Sequence, residues 1–78
     1  MSPGLPVVKA SEVVRVAGKL GFAFDHQKGS HAVYRRVKDN ARVVIPTHAG
    51  KDLKQRTLEG ILDDMGIKPD EFTKLLHG

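Results

Sequence analysis

Cysteine and tryptophan are absent from this chain of 78 residues, and its longest uninterrupted apolar runs, such as Val43–Ile45, have three residues. The absence of cysteine excludes a disulfide-stapled fold, zinc–thiolate centres and cysteine nucleophiles. Runs this short exclude a transmembrane helix, which needs about 20 apolar residues. Residues 1–6 have no basic region followed by an apolar stretch, so we expect no signal peptide. Together these absences favour a cytoplasmic protein that does not associate with membranes.

The chain is long enough for one small domain. Its hydrophobic fraction is 40% and its charged fraction is 28%, values that are ordinary for a globular protein and too apolar for a disordered tail. Residues 1–10 contain two prolines and a glycine, which predicts a short extended lead-in. We expect residues 11–78 to form the single folded domain.

Positive charge is concentrated in the first part of the chain. The net charge is +4, but residues 1–56 carry 11 basic and four acidic side chains, whereas residues 57–78 carry two and five. A basic body attracts polyanions, and nucleic acid is the commonest of these. The alternative is that the charge serves only solubility.

Apolar periodicity predicts three helices. Apolar residues at i, i+3, i+4 and i+7 predict a first helix over 11–20, with Ser11 as its N-cap. A second stripe predicts a helix that starts either after Thr57 or a turn earlier, near Asp52. A short third helix is expected to open at Pro69, because proline is well suited to the first helical position.

Three segments between the first two helices have the composition of strands. They are residues 22–24, 31–36 and 41–45, and short turns at 27–30 and 38–40 connect them. Strands joined by such short turns form an antiparallel meander.

The predicted order is α-β-β-β-α with a short extra C-terminal helix, an α+β fold. Two helices should cover one face of the three-stranded antiparallel sheet and leave the other face, with Val44 on it, open. We assign all three phenylalanines to the core, which leaves no platform of exposed rings for stacking bases. The plan matches the double-stranded-RNA-binding architecture, which recognises shape and phosphates rather than base edges.

The hairpin turn before the second strand carries a candidate catalytic histidine. His31 follows Gly29 and Ser30, whose backbone N–H groups can face a phosphate oxygen, and Lys28 adds positive charge. An imidazole can exchange a proton near neutral pH. The alternative is that Gly29 merely permits a turn and that His31 merely starts a strand.

A basic cluster precedes the second helix. Lys51, Lys54 and Arg56 lie within six residues, and a helix N-terminus already favours anions. In a compact fold this cluster can approach the hairpin turn, so that two cationic corners flank one concave surface. The alternative is a solvated basic turn.

The remaining histidines give weaker signals. His48 lies in a loop that leads to a helix, where it either serves function or orders the turn. We interpret His26, in phase with Phe22 and Phe24, as structural, and His77 as surface. No histidines have a recognised ligand spacing and no paired carboxylates accompany them, so we expect neither a metal nor another cofactor.

Several of these segments, taken together, resemble those of a known protein family. The matching segments are Leu20-Gly21-Phe22, Lys28-Gly29-Ser30-His31, Val43-Val44-Ile45-Pro46-Thr47-His48, Lys51-Asp52-Leu53-Lys54, Thr57-Leu58 and Ile61-Leu62. In this order, over about residues 9–76, they resemble the HicA family, also called YcfA-like. The resemblance implies a double-stranded-RNA-binding-like fold and a translation-independent mRNA interferase, neutralised by a HicB antitoxin in a bacterial type II toxin–antitoxin pair. It also implies that the catalytic histidine of the Gly-Ser-His motif is His31, without a metal.

Residues and resemblance together predict how RNA would be cleaved. His31 would act as general base or general acid, while Lys28, Gly29 and Ser30 steady the phosphate and Lys51 and Lys54 hold the RNA backbone. His48 is the candidate for an auxiliary group, because one histidine cannot be acid and base at once. The alternative function is a non-catalytic module that binds double-stranded RNA or an acidic protein with the same basic face. The sequence predicts neither the oligomeric state nor the cleavage preference.

Overall fold

The protein is an α+β structure of three helices and a three-stranded antiparallel sheet. The computed structural model describes residues 5–48 and 50–78, so Met1–Gly4 of the predicted lead-in and Ala49 lie outside the described residues. The elements are α1 (Ala10–Lys19), β1 (Ala23–Lys28), β2 (His31–Arg36), β3 (Ala41–Pro46), α2 (Gln55–Met65) and α3 (Pro69–His77). This order confirms the predicted fold class. No helix in the described part of the chain is long and apolar enough to cross a membrane.

Both main helices begin at residues other than those predicted. Lys9, not Ser11, is the N-cap of α1, and its backbone N–H donates a 3.0 Å hydrogen bond to the Glu12 carboxylate. The Glu12 carboxylate thus accepts the N–H of the N-cap residue itself, which is a different bond from the one that we had expected the Ser11 hydroxyl to accept. α2 begins at Gln55 with Lys54 as its N-cap, so the predicted cap at Thr57 was wrong, and the alternative start near Asp52 is closer to the observed one. The predicted opening of α3 at Pro69 is confirmed.

The sheet has the strand order β1-β2-β3, and each pair is antiparallel. The predicted bounds of β2 are confirmed, and β3 extends one residue further, to Pro46, which lies opposite His31. β1 is twice as long as predicted and runs to Lys28, so the turn before β2 consists only of Gly29 and Ser30.

A bulge in β1 changes which face its residues occupy. Phe24 lies opposite Tyr34, but His26 lies opposite Val33, so the register shifts between Phe24 and His26. Because neighbouring residues of a strand point to opposite faces, Tyr34 and Val33 lie on different faces, and so do their partners. The prediction that His26 is in phase with Phe24 was therefore wrong.

The core lies between the helices and one face of the sheet, centred on β3. Val43 and Ile45 are completely buried, and α1 and α2 both pack against this strand. Phe22 and Phe72 are buried as predicted, but Phe24 is 57% exposed and packs only edge-to-face against Tyr34, with ring centroids 5.7 Å apart. Phe24 is not a core residue, because β1 is the edge strand remote from β3.

The third helix is attached to the first by side chains that bind backbone carbonyls. Arg15 donates a 2.7 Å hydrogen bond to the carbonyl oxygen of Leu76, and Lys19 donates to those of Leu75 and Gly78. Carbonyls at a helix C-terminus have no partner within the helix, and cations there also complement the helix dipole. These bonds hold the C-terminal segment against α1.

Candidate functional site

A groove of about 350 Å³ lies where the start of β2 meets the loop before α2. Four of the predicted site residues line this groove although they are distant in sequence: His31, His48, Lys51 and Lys54. The remaining lining residues are Pro46, Asp52, Leu53 and Thr57. One concave surface therefore presents two imidazoles and two ammonium groups.

His31 is placed in the groove by the tight turn that precedes it. Gly29 has a φ of 61°, a left-handed conformation that favours glycine, so two residues suffice to reverse the chain. His31 is then the first residue of β2, opposite Lys28 on one side and Pro46 on the other. Its side chain is exposed to solvent and therefore accessible to a ligand.

The hairpin turn is bonded to the loop that carries His48. The carbonyl oxygen of Ser30 accepts hydrogen bonds from the Thr47 backbone N–H, at 2.7 Å, and from the Thr47 hydroxyl, at 3.1 Å. Because Thr47 precedes His48 and Ser30 precedes His31, these two bonds hold the backbones of both histidines close together. Ser30 thus has a structural role in the site through its carbonyl group.

Lys28, Gly29 and Ser30 lie beside the groove rather than among its lining residues. Lys28 is the residue of β1 directly opposite His31, so the two side chains share one face of the sheet. The Gln27 side-chain amide donates a 2.9 Å hydrogen bond to the carbonyl oxygen of Gly29 and so stabilises the turn. A ligand that reached across the hairpin from the groove would contact Lys28.

The opposite wall of the groove is basic and ends at a helix N-terminus. Lys51 precedes α2 and Lys54 is its N-cap, and the first turn of α2 contains no acidic residue. The positive end of the helix dipole and the two ammonium groups therefore attract an anion to the same wall. Asp52 is a carboxylate on this wall and forms a 3.3 Å ion pair with Lys9. Arg56, the third member of the predicted cluster, is exposed in the first turn of α2 and does not line the groove.

The open sheet face carries a second group of charges that the sequence reasoning missed. Arg35 and Arg42 lie opposite each other on β2 and β3. Val44 lies on this face as predicted, because its neighbours Val43 and Ile45 are buried on the other face. The bulge adds Asp25 and His26, whose carboxylate and Nδ1 atoms are 2.7 Å apart. This hydrogen bond, and secondarily the nearby Arg35 and Arg42, lower the pKa of Asp25. The alternation of Arg42 with Val43 was the signal that would have revealed this face.

The other histidines do not join the groove. His26 is exposed on the open face and His77 is exposed at the end of α3. Among residues 5–48 and 50–78, no three histidine, aspartate or glutamate side chains form a cluster that could hold a metal ion.

A comparison with models of protein families gives a match over most of the chain. The family model described as "HicA toxin of bacterial toxin-antitoxin" matches residues 10–67 of the chain. The match begins with α1 and ends just before α3, so it spans the whole sheet and the groove. No protein among those with curated descriptions matches the chain.

Proposed function

Because the chain belongs to the HicA toxin family of bacterial toxin–antitoxin systems, we propose that it is an mRNA interferase, a metal-independent endoribonuclease. The observation that carries this proposal is the groove that His31 and His48 line together with Lys51 and Lys54. Messenger RNA is the proposed substrate and the bacterial cytoplasm the proposed location.

The proposed reaction uses a nucleophile that RNA itself supplies. One imidazole removes the proton from a 2′-hydroxyl, whose oxygen attacks the adjacent phosphorus atom. The bond from phosphorus to the 5′-oxygen breaks, and the leaving oxygen receives a proton from a second acid. The products are a 2′,3′-cyclic phosphate and a 5′-hydroxyl. His31 is the proposed catalytic histidine, with His48 as its auxiliary acid or base, and such a pair contributes typically about 10²- to 10⁴-fold per proton transfer.

The cations of the site supply the remaining stabilisation. Negative charge accumulates on the phosphate oxygens as the 2′-oxygen attacks, and fixed positive groups lower the energy of that state. Lys28 and the turn at Gly29 and Ser30 are proposed to face the reacting phosphate. Lys51 and Lys54 are proposed to hold neighbouring phosphates, which fixes the RNA in place without recognising its bases.

A digestion of RNA tests the catalytic proposal. In the presence of chelator, the wild-type chain should cleave RNA, and His31→Ala should be slower by about 10²-fold or more. His77→Ala is the matched control, because it removes an exposed histidine far along the chain from the groove. Full activity in a folded His31→Ala protein would refute the assignment. Salt-sensitive binding of RNA without cleavage by the wild type would instead favour the non-catalytic module.

The toxin's partner is proposed to be a HicB-type antitoxin that covers His31 and the open sheet face. Blocking access to the groove is the simplest inhibition. Beside it, the exposed Arg35 and Arg42 lie next to the partly exposed Val44 on the open face, an arrangement suited to a protein with acidic side chains.

Binding of the protein encoded by the adjacent reading frame tests the proposed interface. Arg35→Glu should weaken the complex, because it reverses a charge on the proposed face. Lys74→Glu makes the same charge change on exposed α3 and should leave the affinity intact. A complex in which His31 remains exposed would contradict the proposal.

A further inference from the structure

The segment Leu5–Lys9, here called the strap, lies alongside the loop that forms the basic wall of the groove. The backbone N–H of Leu53 donates a 2.8 Å hydrogen bond to the carbonyl oxygen of Val8, and Lys9 forms an antiparallel bridge with Asp52. The Val8 side chain is 1% exposed and packs in the core. The strap is therefore anchored to the body of the protein while its backbone holds the loop.

Side chains reinforce this backbone contact at both ends. The Gln55 amide oxygen accepts a 3.1 Å hydrogen bond from the Leu5 N–H, and its amide nitrogen donates a 3.0 Å bond to the Leu5 carbonyl. At the other end the Lys9 ammonium lies 3.3 Å from the Asp52 carboxylate. One glutamine thus satisfies both backbone groups of a residue that is 50 positions away in sequence.

The residues held in this way are those that border the groove. Lys51, Asp52, Leu53 and Lys54 all line it, and Gln55 is the first residue of α2. His31, by contrast, is positioned by the hairpin and by the bonds from Thr47 to Ser30, which do not involve the strap. The strap therefore holds the lysine wall directly, and it reaches the histidine side only through the loop, in which the Lys51 N–H donates a 3.3 Å hydrogen bond to the His48 carbonyl oxygen.

We propose that the strap is a positioning element for the RNA backbone, and that Gln55 is its principal positioning residue. This inference rests on the proposed ribonuclease function. By fixing the loop before RNA arrives, the strap reduces the conformational freedom that Lys51 and Lys54 lose when they bind phosphates. The strap lies outside residues 10–67, so the family match assigns it no role.

Gln55→Leu is the primary test, because leucine keeps a similar volume and removes both hydrogen bonds to Leu5. We expect KM for RNA to rise about 3- to 10-fold, which corresponds to the net contribution of about one hydrogen bond, with kcat within about twofold of wild type. Exchange of the Leu53 amide hydrogen should become faster, while the amides of β3 keep their protection. Lys19→Met is the control, since it also removes two side-chain hydrogen bonds to backbone carbonyls, those of the C-terminal segment. It should leave KM and the exchange of the Leu53 amide hydrogen unchanged.

The Lys9–Asp52 ion pair gives a second test that separates positioning from simple electrostatics. Lys9→Met removes a positive charge and Asp52→Asn removes a negative one, so electrostatic attraction of RNA predicts opposite changes in affinity. Positioning predicts weaker RNA binding in both variants. Binding is measured with the His31→Ala protein as background, so that the RNA stays intact.

The outcomes distinguish this inference from the proposed function. Cleavage by the wild type, lost in His31→Ala, tests the function alone. Given that result, a higher KM at constant kcat with faster Leu53 exchange in Gln55→Leu supports the strap. An unchanged KM, or an equal loss in kcat, would overturn it and leave the ribonuclease assignment intact. If the wild type neither cleaves nor binds RNA, the proposed function is refuted, and the proposed role of the strap in positioning RNA is refuted with it.

Discussion

The two edge strands of the sheet, β3 and β1, have opposite relations to the rest of the molecule. On β3, Val43 and Ile45 are fully buried beneath α1 and α2. On β1, all six residues are exposed, and the strand is joined to the protein mainly by backbone pairing with β2. Burial of apolar area is the dominant favourable term in folding, so most of the stability of the sheet must come from the β3 side.

The proposed catalytic residue lies between these extremes. His31 starts the central strand, with exposed Lys28 on its β1 side and Pro46 at the end of β3 on the other. No residue of β1 or of the turn at Gly29 and Ser30 is buried, whereas Ala32 and Val33, which follow His31 on β2, are buried. This division predicts that substitutions on β3 change stability, and that substitutions around the groove change function with little change in stability.

The largest expected effect is a difference in the free energy of unfolding between a variant on β3 and a variant on β1. Ile45→Ala should lower the free energy of unfolding by about 2–5 kcal/mol, because it leaves a cavity in the core. Phe24→Ala removes a larger side chain from β1 but should cost only about 1 kcal/mol, since that ring is mostly exposed and its contact with Tyr34 is the main loss. Urea unfolding of both variants provides the measurement. Equal losses would show that β1 contributes as much as β3.

Substitution of the lysines in the groove should weaken the binding of RNA and leave folding intact. Lys51→Gln and Lys54→Gln should each reduce the slope of log affinity against log salt by about 0.7, if each ammonium neutralises one phosphate of single-stranded RNA. The melting temperature should stay close to wild type, because both side chains are exposed. Lys38→Gln, in the loop between β2 and β3, is the matched control. If the slope of log affinity against log salt is the same as in the wild type, these lysines do not contact the phosphates as proposed.

Two glycines allow a smaller and more selective test. Gly29→Ala places a side chain at a φ of 61°, where strain alone should cost about 1 kcal/mol. Gly18→Ala, in the interior of α1 with open space around it, should instead stabilise by about 0.5–1 kcal/mol. RNA cleavage should fall only in Gly29→Ala, because that turn places His31. Thermal unfolding checks that Gly29→Ala is destabilised and Gly18→Ala is stabilised, and a cleavage assay on the same samples checks that only Gly29→Ala loses activity.

The smallest expected effect concerns an ion pair in the turn between β2 and β3. The hydrogen-bonded Arg36 guanidinium, helped by the backbone N–H of Ala41, lowers the pKa of Asp39 below its ordinary value of 3.8. A carboxylate whose pKa is depressed in the folded state stabilises the fold above its unfolded pKa, and that contribution disappears as the pH falls through the folded pKa. Asp39→Asn should therefore be slightly less stable than wild type at neutral pH, and the two melting temperatures should converge in acid. A constant difference across this pH range would contradict the role of the ion pair.

Elements with a strong local signal were predictable from the sequence. The bounds of β2 and the start of α3 at Pro69 follow from alternation and from the preference of proline for a first helical turn. β1 was predicted too short because Asp25, His26 and Gln27 show no apolar alternation. Its pairing is determined by its neighbour β2, and a bulge leaves no mark in composition.

The candidate site was predictable in part for the same reason. A compact αβββα fold allows the basic segment before α2 to approach the hairpin turn, so the meeting of Lys51 and Lys54 with His31 could be anticipated from topology. The strap could not be, because its contacts join backbone groups and a glutamine that lie far apart in sequence. Arg35 and Arg42 were missed because their importance depends on strand register, which the sequence alone did not supply.

The ion pair between Lys9 and Asp52 has a consequence for how the groove meets a polyanion. Among the described residues that line the groove, Asp52 alone has a carboxylate, which by itself would repel the phosphates that the lysines are proposed to attract. Lys9 supplies a counter-ion from a position 43 residues earlier in the chain. The RNA that we propose as substrate would therefore meet a wall on which the carboxylate of Asp52 is already paired with a cation.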